Sequence, residues 1–468
     1  MQLPLKALIL AAGLGTRLKS SKPKVLHKAG GRTLIEQVVE SCSAVVEEEN
    51  IFVVVGHGAG EVERALEGRR VGFVMQPAQR GTADAVRVAR QQVGEQDCLL
   101  LVLYGDCPLI EPSTLASLVE RHRHSSAALT MLTTRLEDPT GYGRVLRDAG
   151  GAVVAIIEQK AAGPDQLSIR EINGGVYCFN SRPLWEHIDR IRPDNPAGEY
   201  YLTDIVALFR SAGLKVEGLL HPEPRELLGI NNRIELAEAD RMLRERINRR
   251  LMLDGVTIEK PETVTIDPQV RIGRDTVVGP FAQILGDTTI GEECSIGACS
   301  IIQDSRLGNR VTVGPFTIVG SSILEDDVQA GPYARLRMEN HLEAGARVGN
   351  FVEMKKARLG AGSKALHLAY LGDAVIGSKA NIGAGTITCN YDGIRKHQTT
   401  IGDGAFVGSN STLVAPVTIG PGSYVAAGSV ITKPVPEDAL GIGRSRQENK
   451  PGWAKRRRQR SGQEPGSE

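Results

Sequence analysis

Aromatic residues are scarce in this 468-residue chain: Phe, Trp and Tyr make up 4% and only two tryptophans occur, so aliphatic side chains must fill the cores. Net charge is almost absent. Lys and Arg number 56 against 55 Asp and Glu, giving +1, which excludes a surface-wide field for nucleic acid or anionic membrane. No apolar run approaches the roughly 20 residues that span a bilayer, so no membrane span is expected. Seven cysteines are scattered from Cys42 to Cys389 without a CxxC pair for a zinc site or redox motif, which fits a reducing cytoplasm. Leu5 to Ala12 has the apolarity of a short signal-peptide core, but with only Lys6 ahead it runs straight into Gly13-Leu14-Gly15-Thr16-Arg17 and reads as a buried first strand. Glycine, by contrast, is abundant, 53 residues against a background of about 7%, which points to tight turns.

Two periodicities divide the chain. To about residue 230, strand-like runs such as Ile51–Val55 and Leu99–Leu103 alternate with amphipathic segments such as Ala83–Gln92 and Thr114–His122, the pattern of a mostly parallel sheet covered by helices. Ligands on such sheets bind beyond the carboxyl ends of strands, so the loops after Leu10 and Leu103 are the candidates. From Asn231 to Met252 a polar helix is expected, with Ile234, Leu236, Leu243, Ile247 and Leu251 at roughly helical spacing, acting as a rigid spacer. Beyond it Ile266, Ile272, Val278, Ile284, Ile290, Ile296 and Ile302 recur every six residues. The period slips by one, resumes at Leu307, Val313 and Val319, and returns at Ile401, Val407, Leu413, Ile419, Val425 and Ile431. This is the hexapeptide signature of a parallel β-helix, aliphatic inside with small residues at the corners. Interruptions are read near Pro332–Glu343 and at Cys389–His397, where a binding face is expected. The expected domains are therefore 1–232, a linker helix 233–253, the β-helix 254–450, and a basic polar tail 451–468 that reads as solvated, with no nucleic-acid contact expected.

Leu10-Ala11-Ala12-Gly13-Leu14-Gly15-Thr16-Arg17 sets glycines and a hydroxyl after a strand, where backbone amides can approach a phosphate. Both the dinucleotide fingerprint and the P-loop would need glycine at Leu18. With Pro23 and Lys24 added, the segment resembles the GxGTR…PK signature of sugar-1-phosphate nucleotidyltransferases. The chemistry suits it: attack on the α-phosphate of a nucleoside triphosphate builds charge on phosphoryl oxygens, which Arg17 and Lys24 would neutralise. Tyr104-Gly105-Asp106 places a carboxylate after the most apolar strand, a hard ligand for Mg²⁺.

Further blocks extend the resemblance: Gln76, Arg80-Gly81-Thr82, Thr140-Gly141-Tyr142-Gly143-Arg144, Glu158, Glu171-Ile172-Asn173 and Gly229-Ile230-Asn231-Asn232-Arg233. They are similar to those of the bifunctional N-acetylglucosamine-1-phosphate uridyltransferase/glucosamine-1-phosphate N-acetyltransferase family. The resemblance implies a Rossmann-like nucleotidyltransferase fold followed by a left-handed β-helix. It gives Gln76, Gly81 and Thr82 to the uracil nucleotide, Gly143, Glu158 and Asn173 to the amino sugar, and Asp106 and Asn231 to Mg²⁺; Leu10, Ala11, Ala12, Gly13, Lys24, Tyr104 and Gly105 complete the nucleotide-sugar set.

In the second half, Phe351–Arg358, His367–Asp373 and Asn381–Gly393 resemble the acetyltransferase blocks of the same family. Acetyl transfer to an amine needs a base, and an imidazole titrating near neutrality suits it, which makes His367 the candidate. A three-histidine zinc site does not fit, because His341, His367 and His397 stand 26 and 30 residues apart while a coil takes about 18. By the resemblance Asn390 assists His367, and Arg337, Lys355, Tyr370, Asn381 and Lys396 hold glucosamine 1-phosphate. Ala384, Asn390, Tyr391, Ser409, Ala427 and Arg444 line the acetyl-CoA path. Where the family continues Arg-Pro-Gly, this chain has Arg337-Met338-Glu339, so the turn that places Arg337 differs. The resemblance further implies Mg²⁺, acetyl-CoA and UTP as cofactor and co-substrates, a homotrimer with acetyltransferase sites between subunits, and a bacterial cytoplasmic enzyme of UDP-N-acetylglucosamine synthesis. Trp453 would anchor the tail on a neighbour or pack within its own chain. The alternative is a nucleotidyltransferase whose β-helix is purely structural or regulatory.

Overall fold

The computed structural model describes residues 3–94 and 96–461, which form two compact units divided between Ile247 and Asn248. Among the described residues no helix is long and apolar enough to cross a membrane.

The first unit is built on a nine-stranded sheet. Its strands are β1 (Leu5–Leu10), β2 (Ile51–Val55), β3 (Gly72–Met75), β4 (Leu99–Tyr104), β5 (Leu129–Arg135), β6 (Arg144–Arg147), β7 (Val153–Ile157), β8 (Glu171–Asn180) and β9 (Val216–Leu220). The order is β9-β5-β8-β4-β1-β2-β3, with β6 joined to β8 and β7. Strands β1, β2, β3 and β4 pair in parallel, while β8 runs antiparallel to both β4 and β5. Because successive side chains point to opposite faces, the near-continuous apolar run of β4 supplies both cores: Leu100 and Val102 on one side, Leu99, Leu101 and Leu103 on the other. Helix α1 (Leu34–Ser43) starts from a capping box in which Thr33 and Glu36 bond each other's backbone N–H. The expected helix over 83–92 is interrupted at Ala89 into α2 (Thr82–Val88) and a short turn Arg90–Val93, whereas α3 (Pro112–Ser125) runs on beyond His122.

Helix α4 (Arg233–Leu253) is divided between the units. In the first, Ala239 and Leu243 pack on Ala29, Leu34, Leu109 and Ile230, and Gly30 N–H donates to Asp240 at 2.8 Å. In the second, the Asn248 amide donates to Pro261 O at 2.8 Å and Val264 O at 3.2 Å. Ile234, expected on the apolar stripe, is 82% exposed.

The second unit winds three parallel sheets of 11, 10 and 9 strands, one per face of a left-handed β-helix. Paired residues lie mostly 17 or 18 positions apart, as in Ser295 with Thr312 and Gln329 with Arg347. The one-residue slip is thus a shorter coil. The interruption expected near Pro332–Glu343 does not exist in the fold: Ala330, Leu336, Leu342, Val348 and Met354 continue the buried six-residue series. The second is real, since Ile376 pairs with Ile401, 25 positions on. Corners are not confined to small residues either. Phe316, Tyr333, Phe351 and Leu368 occupy left-handed backbone at φ 57, 54, 56 and 50, a strain the stacked coils hold in place.

Glycine is needed where coils approach most closely. A Cβ on Gly408 would lie 2.5 Å from Ala427 N of the next coil. Gly408→Ala is therefore expected to cost about 1–3 kcal/mol, read as a lower urea midpoint for loss of β-sheet circular dichroism. The tail carries an exposed helix, Trp453–Ser461, with Trp453 55% exposed; the rest of the expected tail, 462–468, lies outside the described residues.

Candidate functional site

In the first unit Leu10 lies opposite Tyr104, so the loops after β1 and β4 leave the sheet side by side. Gly105 N–H bonds Leu10 O at 2.9 Å, and a Cβ there would press on Ala11 at 3.2 Å and Ile35 at 3.1 Å. Between these loops opens a cleft of about 520 Å³ lined by Leu10, Ala11, Ala12, Gly13, Arg17, Lys24, Gln76, Gly81, Thr82, Tyr104, Asp106 and Asn231, among others. A Cβ on Gly13 would meet nothing within 4 Å, so its backbone is open to a ligand.

Lys24 Nζ bonds the Asp106 carboxylate and Asn231 Oδ1, the latter at 3.1 Å, and Arg17 donates to the same Asn231 oxygen at 2.7 Å. Asn231 is fixed by its own N–H, which donates to Glu235 at 2.6 Å, and Ile230 N–H ties that turn to Asp106 O at 2.9 Å. Two hard oxygens, one anionic, therefore meet around a cationic nitrogen. That donor set fits a divalent cation such as Mg²⁺, which takes one or two protein oxygens and completes its shell from phosphate and water.

The three expected sugar residues lie outside the cleft lining but adjoin one another. A Cβ on Gly143 would sit 3.2 Å from Glu158 Oε1, and Gly143 O accepts from Asn173 N–H at 2.9 Å. Burial raises the Glu158 pKa above the ordinary carboxylate value, partly offset by Thr203, whose hydroxyl donates at 3.2 Å. Asn173 donates to the Tyr177 hydroxyl at 2.6 Å, and Tyr177 in turn bonds Tyr104 of the cleft. On the other side Gly81, at φ 123, packs so closely that a Cβ would fall 2.5 Å from Tyr200 O, while Thr82 Oγ1 accepts from Leu202 N–H at 2.9 Å.

In the second unit His367 is exposed at the end of the strand Lys364–His367, paired with Asn350. Tyr370 and Asn390 close on Gly372, where a Cβ would lie 2.5 Å from the Tyr370 hydroxyl and 2.7 Å from the Asn390 amide. Among the described residues no hydrogen bond joins Asn390 to His367; its amide donates to Asp373. The Lys355 pKa is lowered, chiefly because Lys396 lies against it, with Arg337 adding to the like charge. Arg337 keeps its register through a bond from its N–H to Met354 O at 3.0 Å, and Glu339 makes the turn at φ 52 without Pro or Gly. Asn381 pairs with Lys364 beside the same strand. Ala384, Ser409 and Ala427 form a column over successive coils: a Cβ on Gly383 would meet Ser409 N at 2.6 Å, one on Gly408 would meet Ala427 N, and Arg444 stands 3.9 Å from the Cβ position of Gly428. The insertion carrying Tyr391 is closed by Asp392, which accepts from Ile394 N, Arg395 N and His397 at 2.6–2.7 Å. This leaves Tyr391 60% exposed.

The Nucleotidyl transferase family matches residues 6–216, and the Bacterial transferase hexapeptide family matches 269–304 and 398–433. Similarity to curated relatives runs the length of the chain. The bifunctional protein GlmU of Solibacter usitatus is 57% identical over 458 residues, 98% of each chain, and that of Koribacter versatilis 48% over 453 residues, 96% of each. That of Listeria innocua is 46% identical over 449 residues, 96% of this chain and 98% of its own.

This chain belongs to the bifunctional GlmU family. As a GlmU-family enzyme it has a uridyltransferase domain and a hexapeptide acetyltransferase domain, and the alternative of a purely structural β-helix falls. The hexapeptide matches cover the two stretches whose period is legible by eye and omit the middle of the β-helix. Sequence reading missed Gln79 and Glu199 in the cleft, Asp84 and Tyr177 behind it, and Thr203 on Glu158. None has a periodic or spacing signal of its own.

Proposed function

We propose that the second unit acetylates glucosamine 1-phosphate from acetyl-CoA, and that the first joins N-acetylglucosamine 1-phosphate to UTP, releasing pyrophosphate and giving UDP-N-acetylglucosamine. The observation that carries this is the convergence of Arg17, Lys24, Asp106 and Asn231 on one point of the cleft. In the first reaction site, the sugar-phosphate oxygen attacks the α-phosphorus of UTP, and Arg17 and Lys24 neutralise the charge that builds on its oxygens. Asp106 and Asn231 would hold Mg²⁺, which when bound draws charge from the triphosphate oxygens. Glu158, Asn173 and Gly143 hold the amino sugar; Gln76, Gly81 and Thr82 hold the uracil nucleotide.

In the second site, His367 takes a proton from the amine as nitrogen attacks the thioester carbonyl, the C–S bond breaks and coenzyme A leaves as thiol. Lys355 and Lys396 crowd like charge together in the free enzyme, with Arg337, itself paired with Glu353 at 3.1 Å, adding to it, and a sugar phosphate relieves that repulsion. Tyr370 and Asn381 complete that grip, Asn390 assists His367, and the Ala384–Ser409–Ala427 column with Tyr391 and Arg444 guides acetyl-CoA.

The assembly is a homotrimer of the bacterial cytoplasm. In support, Phe316, Tyr333 and Phe351 stack outside the β-helix at centroid distances of 5.0 and 5.5 Å, an exposed ridge a second copy would cover. A two-part assay tests the function. Thiol release should require both acetyl-CoA and glucosamine 1-phosphate, pyrophosphate release should require UTP and N-acetylglucosamine 1-phosphate, and EDTA should stop only the second. Absence of thiol release would remove the acetyl-transfer half.

A further inference from the structure

We infer that Asp84, which the mechanism above does not use, sets which pyrimidine nucleotide the first site accepts by holding the Gln76 amide in one orientation. The inference rests on the proposed role of Gln76 at the base. Gln76 follows β3, its backbone N–H bonding Val55 O at 2.8 Å, and the residue is 3% exposed at the wall of the cleft. Its Nε2 donates to Asp84 Oδ2 at 2.9 Å and to Gly81 O at 3.3 Å. A carboxylate and a carbonyl oxygen can only accept, so both amide hydrogens are committed there. No described residue donates to Gln76 Oε1, and that oxygen is what the side chain leaves for a ligand.

Asp84 is braced as well. It lies in the first turn of α2, 8% exposed, with Arg87 NH1 at 3.8 Å from its other oxygen. Arg87 is fixed in turn by Asp189 at 3.1 Å and lies 5.0 Å over the Tyr200 ring. Flipping the Gln76 amide would set Oε1 against the Asp84 carboxylate, oxygen to oxygen, in a buried position. The amide therefore presents an acceptor and not a donor.

Uracil carries a hydrogen on N3, whereas cytosine carries a lone pair there. An acceptor fixed opposite N3 bonds the first and repels the second, and a site built on such a hydrogen bond rejects the analogue that lacks it. Asp84 is thus a positioning residue for base choice. Its replacement by asparagine, which can donate or accept, removes the charged oxygen and leaves only the neutral Gly81 O, at the longer 3.3 Å, against a flipped Gln76 amide that presents Nε2 to cytosine N3.

The experiment compares UTP and CTP as substrates of the full chain, wild type against Asp84→Asn, by pyrophosphate release with N-acetylglucosamine 1-phosphate. The expected result is a fall of tenfold or more in the UTP/CTP ratio of kcat/KM, carried by the nucleotide KM while kcat with UTP changes less than threefold. A loss of activity equal for both nucleotides marks a merely structural role and overturns the inference. Asp84→Ser, whose hydroxyl also donates or accepts, repeats the test if the asparagine variant does not fold. Independently of either variant, wild type should not use N3-methyl-UTP, and use comparable to UTP overturns the inference. A wild type without preference for UTP removes the uridylyl reading itself; a preference that survives both substitutions removes only the role of Asp84.

Discussion

Replacing His367 with alanine is expected to lower thiol release from acetyl-CoA by about 10²–10⁴-fold, the contribution of a positioned general base, while pyrophosphate release stays within twofold of wild type. The separation follows from the chain's division: His367 lies in the unit that begins at Asn248, and the cleft with Lys24 and Asp106 is built entirely within the other. His367 is exposed at a strand end and holds no side chain in place among the described residues, so truncation should leave the melting temperature close to wild type. A structural histidine would behave in the opposite way, losing stability first and activity as a consequence. The measurement is kcat/KM for acetyl transfer, beside the melting curve. A His367→Ala enzyme that acetylates at the wild-type rate would end the assignment.

What could be read from residues alone depended on how strongly a position is constrained locally. The six-residue series from Ile266 to Ile302 is legible because the narrow interior admits one kind of side chain at each step. Through Pro332–Glu343 the same interior continues in Leu336 and Leu342, but Arg335, Arg337, Glu339 and His341 on the outside obscure it. Left-handed corners at Phe316, Tyr333 and Phe351 were equally hidden, since strain imposed by stacked coils overrides the residue's own preference. At the site, Asp106 follows an unmistakable strand and Arg17 and Lys24 belong to a compact motif, so the cleft was legible. Asp84 and Tyr177 were not. Each acts through another side chain, Gln76 or Asn173, and that relation exists only once β3, α2 and β8 are folded. Helix α4 was visible as a helix, but its docking was not, since Asp240 meets Gly30, 210 positions away, and Asn248 meets carbonyls that reach it only once the chain has turned back after the helix.

Asp106→Asn should lower kcat/KM for pyrophosphate release by about 10³-fold and leave thiol release unchanged, because the side-chain shape survives and only the charge is lost. In the wild type the carboxylate faces Lys24, and Asn231 supplies the second oxygen. With asparagine at both positions two neutral oxygens remain, too weak a set to keep a divalent cation beside three phosphates. The backbone is unaffected, since the bond from Ile230 N–H is to Asp106 O and not to the side chain. Stability should therefore hold, and the deficit should shrink as Mg²⁺ is raised well above the wild-type requirement. That dependence separates two meanings of the same contact. If Asp106 served only to orient Lys24, added metal would recover nothing and Lys24→Ala would show the same loss at every Mg²⁺ concentration. If it holds the cation, the asparagine variant shifts the metal titration while Lys24→Ala leaves its midpoint in place and lowers the plateau. A titration of Asp106→Asn that superimposes on wild type would show that the carboxylate binds no metal in the reaction.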